Sequence, residues 1–251
     1  MTFWQGVLVL VAGVWAGTIN TVVGSGTLVT FPTLLGIGLS PVGANVTNAL
    51  GLFPGSFVGA YGYRRELAGQ RDRVLVLGTA TVLGALGGAL LVLVLPSDAF
   101  NAIVPVLIGL SLVFVVFGRQ ITAWLTARGH ARSTKVGLGL WLGTLFTGVY
   151  GGYFGAAQGV LLMGLLGVSL RETLQRQNAV KNVLSGLANL VAAIVFVIVG
   201  RHIDWAAAGL IALGSIAGGL IGARIGRRMP PPVLRGVIVA VGVTALVKLL
   251  V

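Results

Sequence analysis

Long apolar runs recur along the whole of this chain and decide which solvent it can fold in. They include Val74–Leu95, Ile103–Phe117, Ala188–Val199 and Val233–Val247. Hydrophobic residues make up 56% of the 251 residues and charged residues 9%, whereas about 25% of a soluble domain is charged. A soluble fold of this length has too little interior to bury every run, so the surrounding solvent is predicted to be lipid.

Only helices or closed barrels satisfy all backbone groups in lipid. The unbroken runs predict helices, because the strands of a barrel alternate apolar and polar residues and that alternation is absent. The predicted fold class is therefore all-α, as a polytopic membrane helix bundle.

A glycine-rich element with polar residues occurs twice, about half a chain apart. The copies are Gly17–Thr27 and Gly148–Gly159, and their first glycines lie 131 positions apart. Further matches follow each copy in the same order, which predicts an internal duplication. The predicted parts are a first transmembrane repeat at 1–118, a cytoplasmic basic linker at 119–135 and a second transmembrane repeat at 136–251.

The basic residues predict the orientation of the chain. Of the 17 lysines and arginines, 15 lie in Arg64–Arg73, Arg119–Lys135, Arg171–Lys181 and Arg224–Arg235. The positive-inside rule places these loops in the cytoplasm, with both termini outside. Ten membrane segments are predicted, near residues 5–22, 25–38, 44–63, 74–95, 101–118, 136–153, 156–170, 178–199, 205–223 and 234–250. Five segments per half is an odd number, so the two repeats are predicted to be inverted.

The first two segments of each repeat are short and interrupted by glycine. Short, broken, polar segments in corresponding positions of two halves point to the binding site of a transporter. They are predicted to form re-entrant hairpins of broken helices that reach the middle of the membrane, with free backbone N–H groups at their glycine-rich turns. The alternative is that they are short or tilted full spans.

Polar residues concentrate at the two repeated elements and in the segments that follow them. They are mostly hydrogen-bond donors, with one cation and no carboxylate, which suits an oxyanion. The alternative is that they make only interhelical hydrogen bonds and that Lys181 snorkels to the cytoplasmic surface. The candidate substrate-binding residues are Asn20, Ser25, Thr27, Thr47, Asn48, Tyr150, Gln158, Asn178, Lys181 and Asn182.

Other chemistries find little support in the sequence. All acidic residues fall in predicted loops or at span ends: Glu66, Asp72, Asp98, Glu172 and Asp204. No membrane-buried carboxylate is therefore expected to relay protons or bind sodium, although backbone carbonyls could still hold a sodium ion. The chain has no cysteine, and its two histidines, His130 and His202, are predicted on opposite sides of the membrane. We expect no metal, cofactor or catalytic site, since Ser25 lacks a base.

The net charge of +12 does not predict a nucleic-acid partner, because the basic residues lie in short loops between spans. Those cytoplasmic loops are expected to contact anionic lipid. The expected partners are a small anionic substrate and membrane lipid, and the sequence leaves open whether the chain forms a homo-oligomer.

Both motifs resemble those of the TauE/SafE sulfite exporter family. Gly24–Pro32 is similar to that family's glycine-rich motif ending in proline, and Tyr150–Gly159 with Ala179–Asn182 is similar to its second-half motif. The resemblance covers nearly the whole chain. It implies a multi-span permease for sulfite, sulfonates, sulfoacetate or other small organic anions. The family often has glycine where this chain has Thr27 and Ala156–Gln158.

The leading hypothesis is a secondary transporter of small anions in the cytoplasmic membrane, working by alternating access. Three alternatives remain: a passive anion channel with the same pore, a membrane enzyme that uses Ser25, and an assembly subunit without its own cargo. A carrier shows trans-stimulation whereas a channel shows single-channel currents, and an enzyme would lose activity on Ser25→Ala.

Overall fold

The computed structural model describes residues 1–127, 135–199 and 203–225, together with Val243. Regular structure in these ranges is α-helical, which confirms the predicted all-α class. The helices are α1 (Phe3–Val22), α2 (Thr27–Gly36), α3 (Pro41–Gly62), α4 (Arg64–Leu67), α5 (Arg71–Val94), α6 (Ser97–Ala127), α7 (Leu138–Tyr153), α8 (Gln158–Ser169), α9 (Leu174–Val199) and α10 (Trp205–Ile225).

Each predicted segment from 5–22 to 205–223 corresponds to a helix, and the segment near 234–250 lies outside the described residues. The main difference is α6, which continues to Ala127, well into the predicted linker at 119–135. The change from apolar to polar residues after Phe117 was interpreted as the end of the membrane span. It does not end the helix, because the Arg, Gln, Leu and Ala residues that follow still favour helix. The short helix α4 lies in a loop and was not predicted.

Five helices are long and apolar enough to cross a membrane: α1, α5, α6, α9 and α10. The chain is therefore an integral membrane protein. With 20 residues α1 spans about 30 Å, so the expectation of a short first segment was wrong for this helix. By contrast α2 and α8 have 10 and 12 residues, about 15 and 18 Å. Their re-entry into the membrane stays a prediction.

Helix packing follows the proposed duplication. Helix α1 packs on α10, and its counterpart α7 packs on α5; likewise α3 packs on α10 and α9 on α5, while α3 and α9 pack on each other. The close approaches also correspond. A Cβ added to Gly84 would overlap the carbonyl oxygen of Leu145, and one added to Gly218 would overlap that of Val14. The directions in which the two copies enter the membrane stay a prediction.

The outer surface is apolar, and the interior combines a hydrophobic core with many buried polar side chains. Large side chains such as Leu83, Val94 and Leu213 are exposed, as expected for surfaces that face lipid. Buried polar side chains come mainly from α1, α2, α3 and α9. Because each buried polar group needs a partner, these helices hold the residues most constrained by hydrogen bonding.

An ionic cluster around Glu172 joins the two halves at one end of the bundle. Its carboxylate accepts from Arg73 Nη1 at 3.0 Å and from Arg176 Nε at 2.6 Å, and Arg176 Nη1 donates to the Ala68 carbonyl at 3.1 Å. Burial raises the pKa of Glu172, but hydrogen bonds and charges from Arg176 and Arg73 outweigh it and hold the pKa below its ordinary value. Two loops predicted to be cytoplasmic therefore meet.

Candidate functional site

A sharp turn separates α1 from α2. Gly24 has φ +88°, a left-handed conformation that favours glycine. The backbone N–H groups of Val23 and Gly24 both donate to the Ile19 carbonyl, at 2.7 and 3.1 Å. The turn ends the helix, so the carbonyls of Asn20 and Thr21 have no partner within α1.

Side chains of α9, from the second half, satisfy these carbonyls. Lys181 Nζ donates to the Asn20 oxygen at 2.7 Å and to the Thr21 oxygen at 3.2 Å. The side-chain amides of Asn178 and Asn182 donate to the same Thr21 oxygen at 3.1 and 3.2 Å. Three predicted site residues thus converge on the end of α1, where the helix dipole favours a cation.

Lys181 points inward and not toward the membrane surface. It is 0% exposed, and its position in the third turn of α9 puts it about 10 Å along the helix. The snorkelling alternative does not hold.

The break between α7 and α8 repeats the first one 131 positions later. Gly155 has φ +76°, and the N–H groups of Phe154 and Gly155 both donate to the Tyr150 carbonyl, at 2.9 and 3.0 Å. Here the cap comes from α3 in the first half, because Asn45 Nδ2 donates to the Tyr153 carbonyl at 2.9 Å. Each half therefore caps the broken helix of the other.

The two breaks touch through backbone alone. Gly159 N–H donates to the Gly24 carbonyl at 3.0 Å, and a Cβ on either glycine would overlap the Cα of the other. The side chain of Lys181 passes this contact, since its Cδ lies 2.8 Å from where a Gly159 Cβ would be. Only glycine allows so close an approach.

Two further predicted residues flank this contact with their polar atoms unused. Ser25 follows Gly24 and Gln158 precedes Gly159; the Ser25 hydroxyl and the Gln158 Nε2 are buried and make no hydrogen bond. Within the described ranges, the other unpartnered buried atoms in the membrane helices are Thr21 Oγ1, Tyr153 OH, Asn178 Oδ1 and Ser185 Oγ. Buried donors without partners are rare and costly, so the Ser25 and Gln158 groups are candidates for contact with a polar ligand.

The first-half residues form a separate small network. Asn48 Nδ2 donates to Thr27 Oγ1 at 3.1 Å, and Asn48 Oδ1 accepts from the Thr30 hydroxyl. Asn20 Nδ2 donates to Ser56 Oγ at 2.9 Å. Thr27 and Asn48 therefore bind each other, whereas Asn20 bridges to the Lys181 group through its backbone oxygen.

Two predicted residues lie away from the Lys181 group. Thr47 Oγ1 accepts from the backbone N–H of Asp204, just before α10 begins. The Tyr150 hydroxyl donates to the Ala156 carbonyl, and it lies 2.7 Å from the Ser111 hydroxyl of α6. Tyr150 therefore supports the second break from within its own half, with help from α6.

Four residues outside the predicted set complete these networks: Thr30, Asn45, Ser56 and Ser111. Thr30 and Asn45 lie within three residues of predicted residues in the sequence, so their polarity was an available signal. Ser111 lies in the apolar run Ile103–Phe117, and only the rarity of a polar group there could have marked it. Across the described part of the chain, no group of three or more His, Cys, Asp and Glu side chains could hold a metal.

The helical fold, the apolar surface and the buried polar side chains define a helical membrane protein. The sequence profile of the family described as Sulfite exporter TauE/SafE matches residues 9–249. The chain belongs to this family of membrane transporters, which confirms the resemblance of its two motifs.

Similar proteins carry names of the same kind. The "Probable membrane transporter protein YfcA" of Escherichia coli (strain K12) is 29% identical over 250 residues, covering 98% of this chain and 89% of the relative. The "Probable membrane transporter protein ORF9" of Sinorhizobium sp is 29% identical over 242 residues, covering 96% and 90%. No solved structure matches. The relatives are named as transporters and not as enzymes.

Proposed function

We propose that the chain is a secondary transporter that moves small sulfur-containing oxyanions or organosulfonates across the cytoplasmic membrane by alternating access. The observation that carries the proposal is the Lys181 ammonium, fully buried where the two breaks meet, with unpartnered donors from both halves beside that meeting point. A site shared between two duplicated halves is what a rocking mechanism needs.

The donors near the breaks suit a sulfonate or sulfite group. Lys181, Asn178 and Asn182 now donate to carbonyl oxygens of α1, and an oxyanion offers the same acceptor chemistry with a full negative charge. Ser25 Oγ and Gln158 Nε2 add one donor from each half. In this mechanism the anion takes over donors that the α1 carbonyls hold in its absence.

The exchange of partners links binding to movement. When Lys181 turns to an anion, the carbonyls of Asn20 and Thr21 lose a donor that ties α1 to α9. The halves are then freer to separate, which would open the site to one side of the membrane. Alternating access by this route remains part of the proposal.

The test is transport of radiolabelled sulfite and sulfoacetate by the purified chain in proteoliposomes. We expect Lys181→Ala and Asn182→Ala to lower transport by about tenfold to a hundredfold. The first variant removes a buried amino group and the second removes a buried amide, and both groups donate hydrogen bonds at the site. Asn48→Ala tests the first-half network. Lys135→Ala, an exposed lysine before α7, is the matched control and should transport as the unchanged chain does.

Unchanged transport in all three site variants would contradict the site assignment. Counterflow decides the mechanism: an alternating-access carrier is accelerated by unlabelled anion on the opposite side, whereas a passive channel shows single-channel currents and no such acceleration. Retained folding of each variant is checked by thermal unfolding in detergent.

A further inference from the structure

The positive charge of Lys181 has no carboxylate to balance it. The side chain is 0% exposed, and its hydrogen bonds go to two backbone oxygens. The acidic residues of the chain lie in loops or first turns, and both ion pairs within the described ranges belong to Glu172. Within the described residues, a protonated Lys181 is offset by the partial negative charge at the end of α1 alone, and that end belongs to the other half.

Among the described residues, no other titratable group pairs with Lys181. Of the helices packed against α9, α1 and α8 carry no titratable side chain. The remaining helices packed against α9, and α9 itself, do carry titratable side chains, but Lys181 forms no hydrogen bond or ion pair with them. They are Tyr61 of α3, Arg64, Arg65 and Glu66 of α4, Arg71, Asp72 and Arg73 of α5, Tyr150 and Tyr153 of α7, and Arg176 of α9. A bound anion would therefore be its first charged partner.

The oxygens that hold Lys181 are of the kind that bind sodium in other transporters. Carbonyls at the ends of broken membrane helices commonly coordinate that ion. Here the amino group of Lys181 occupies the position: Nζ lies 2.7 Å from the Asn20 oxygen, and the side chain runs past Gly159, which has no side chain to obstruct it. The group that these oxygens hold is thus part of the protein.

We propose that the coupling ion of this transporter is a proton carried on Nζ of Lys181, with no requirement for sodium. The inference rests on the proposed function and specifies its energy source. When the anion enters, Nζ takes a proton from water on the entry side and a new N–H bond forms beside the negative charge. When the anion leaves, that N–H bond breaks and the proton goes to water on the exit side.

The empty carrier then returns with a neutral amine, which still donates to the Asn20 oxygen. One proton accompanies each anion, so movement of a singly charged anion carries no net charge. Linkage is reciprocal: the proton strengthens anion binding by the same factor as the anion strengthens proton binding.

The test follows uptake of radiolabelled methanesulfonate, whose charge is constant near neutral pH, into proteoliposomes containing the full chain. Without sodium, an inward proton gradient of about one pH unit should support up to about tenfold accumulation of methanesulfonate inside the vesicles. An inward sodium gradient at equal pH should support none. A pH dye inside the vesicles should report acidification that keeps pace with uptake, and an imposed membrane potential should leave accumulation unchanged.

Accumulation driven by sodium, or uptake without acidification, would overturn the inference while leaving an anion transporter in place. If neither methanesulfonate nor sulfite moved under any gradient or in exchange, the proposed function would fall, and the inference with it. These wild-type measurements decide even if every Lys181 variant misfolds.

Lys181→Arg adds a sharper readout, because arginine keeps its proton at all relevant pH values. In this variant we expect the rate of exchange of labelled for unlabelled methanesulfonate to exceed the rate of proton-driven net uptake by at least about tenfold. Net uptake requires the empty carrier to return, and that step is slow when a buried arginine keeps its charge without an anion. Lys135→Arg is the control and should keep the coupling. Net uptake by Lys181→Arg at the wild-type rate, with acidification, would place the proton elsewhere and contradict the inference.

Discussion

At the scale of the residue, the chain surrounds the partly exposed Glu172 and the fully buried Lys181 with different partners. Glu172 sits between Arg73 and Arg176 and has full counter-charges within hydrogen-bond distance. Lys181 has only carbonyl dipoles. A paired charge is a fixed structural element, whereas an unbalanced one is available to a ligand that brings the missing charge. The first group suits a joint between the halves, and the second suits a site.

Glu172→Gln should lower the stability of the chain by about 1–2 kcal/mol near neutral pH, because charged hydrogen bonds to two arginines are lost. The folded-state pKa of Glu172 is lowered, so its contribution is fully present above the ordinary carboxyl pKa of 4.5 and is lost as pH falls through the lowered value. Thermal unfolding in detergent at neutral and acidic pH measures the difference between variant and wild type.

Asp72→Asn is the matched control, since Asp72 is an exposed carboxylate next to Arg73. Its unfolding free energy should stay within about 0.5 kcal/mol of the wild-type value. An equal loss in both variants, or a Glu172→Gln effect that persists at acid pH, would contradict the assigned role.

At the scale of the element, the broken helices were the part of the fold most visible in the sequence. The paired glycines at 24 and 155 predicted two breaks, and both have left-handed backbone there. The partners of the breaks were not predictable. Asn178, Lys181 and Asn182 were predicted to donate hydrogen bonds to an anion. The carbonyl groups that accept from them lie about 160 positions away in the sequence, and the chemistry of a donor does not indicate which acceptor it meets in the fold.

Glycine also sets how closely the helices pack, and α5 offers a direct test. A Cβ at Gly84 would overlap the backbone of α7, whereas one at Gly87 meets nothing within 4 Å. Gly84→Ala should destabilise the chain by about 1–3 kcal/mol through overpacking. Gly87→Ala should stabilise it by up to about 1 kcal/mol through helix propensity. Thermal unfolding of both variants gives the comparison.

The duplication predicts the same contrast on α10. Gly218→Ala should behave as Gly84→Ala, because a Cβ there would overlap the backbone of α1, and Gly209→Ala should behave as Gly87→Ala. Equal effects within either pair would mean that the helices relax around the added methyl groups and that close packing is not required.

At the scale of the whole molecule, the apolar surface and the all-helical class were predictable because lipid leaves few choices for the backbone. Apart from α4, the described helices follow the predicted segments closely along the chain. The extension of α6 to Ala127 was not predictable from polarity, which reports surroundings and not backbone conformation. The orientation of the two repeats depends on loop charges and stays a prediction.

Single cysteines can test that orientation, since the chain has none of its own. Gly36→Cys and Pro96→Cys should react with a membrane-impermeant maleimide on intact cells, because both loops are predicted outside. Ala68→Cys and Leu174→Cys should react only after permeabilisation. Gly36 ends α2, and Leu174 comes after α8, the corresponding helix of the second repeat. Labelling of both from one side would therefore contradict the inverted arrangement.

Because each half caps the broken helix of the other, the two breaks receive their caps at different times during synthesis. When the second break leaves the ribosome, Asn45 has already been made and its amide is ready for the Tyr153 carbonyl. The first break has no such partner, because the carbonyls of Asn20 and Thr21 must wait for residues 178–182. Until those residues are made, the carbonyls of Asn20 and Thr21 therefore lack the side-chain donors that they have in the folded chain. Water, lipid headgroups or the insertion machinery must satisfy them until α9 arrives.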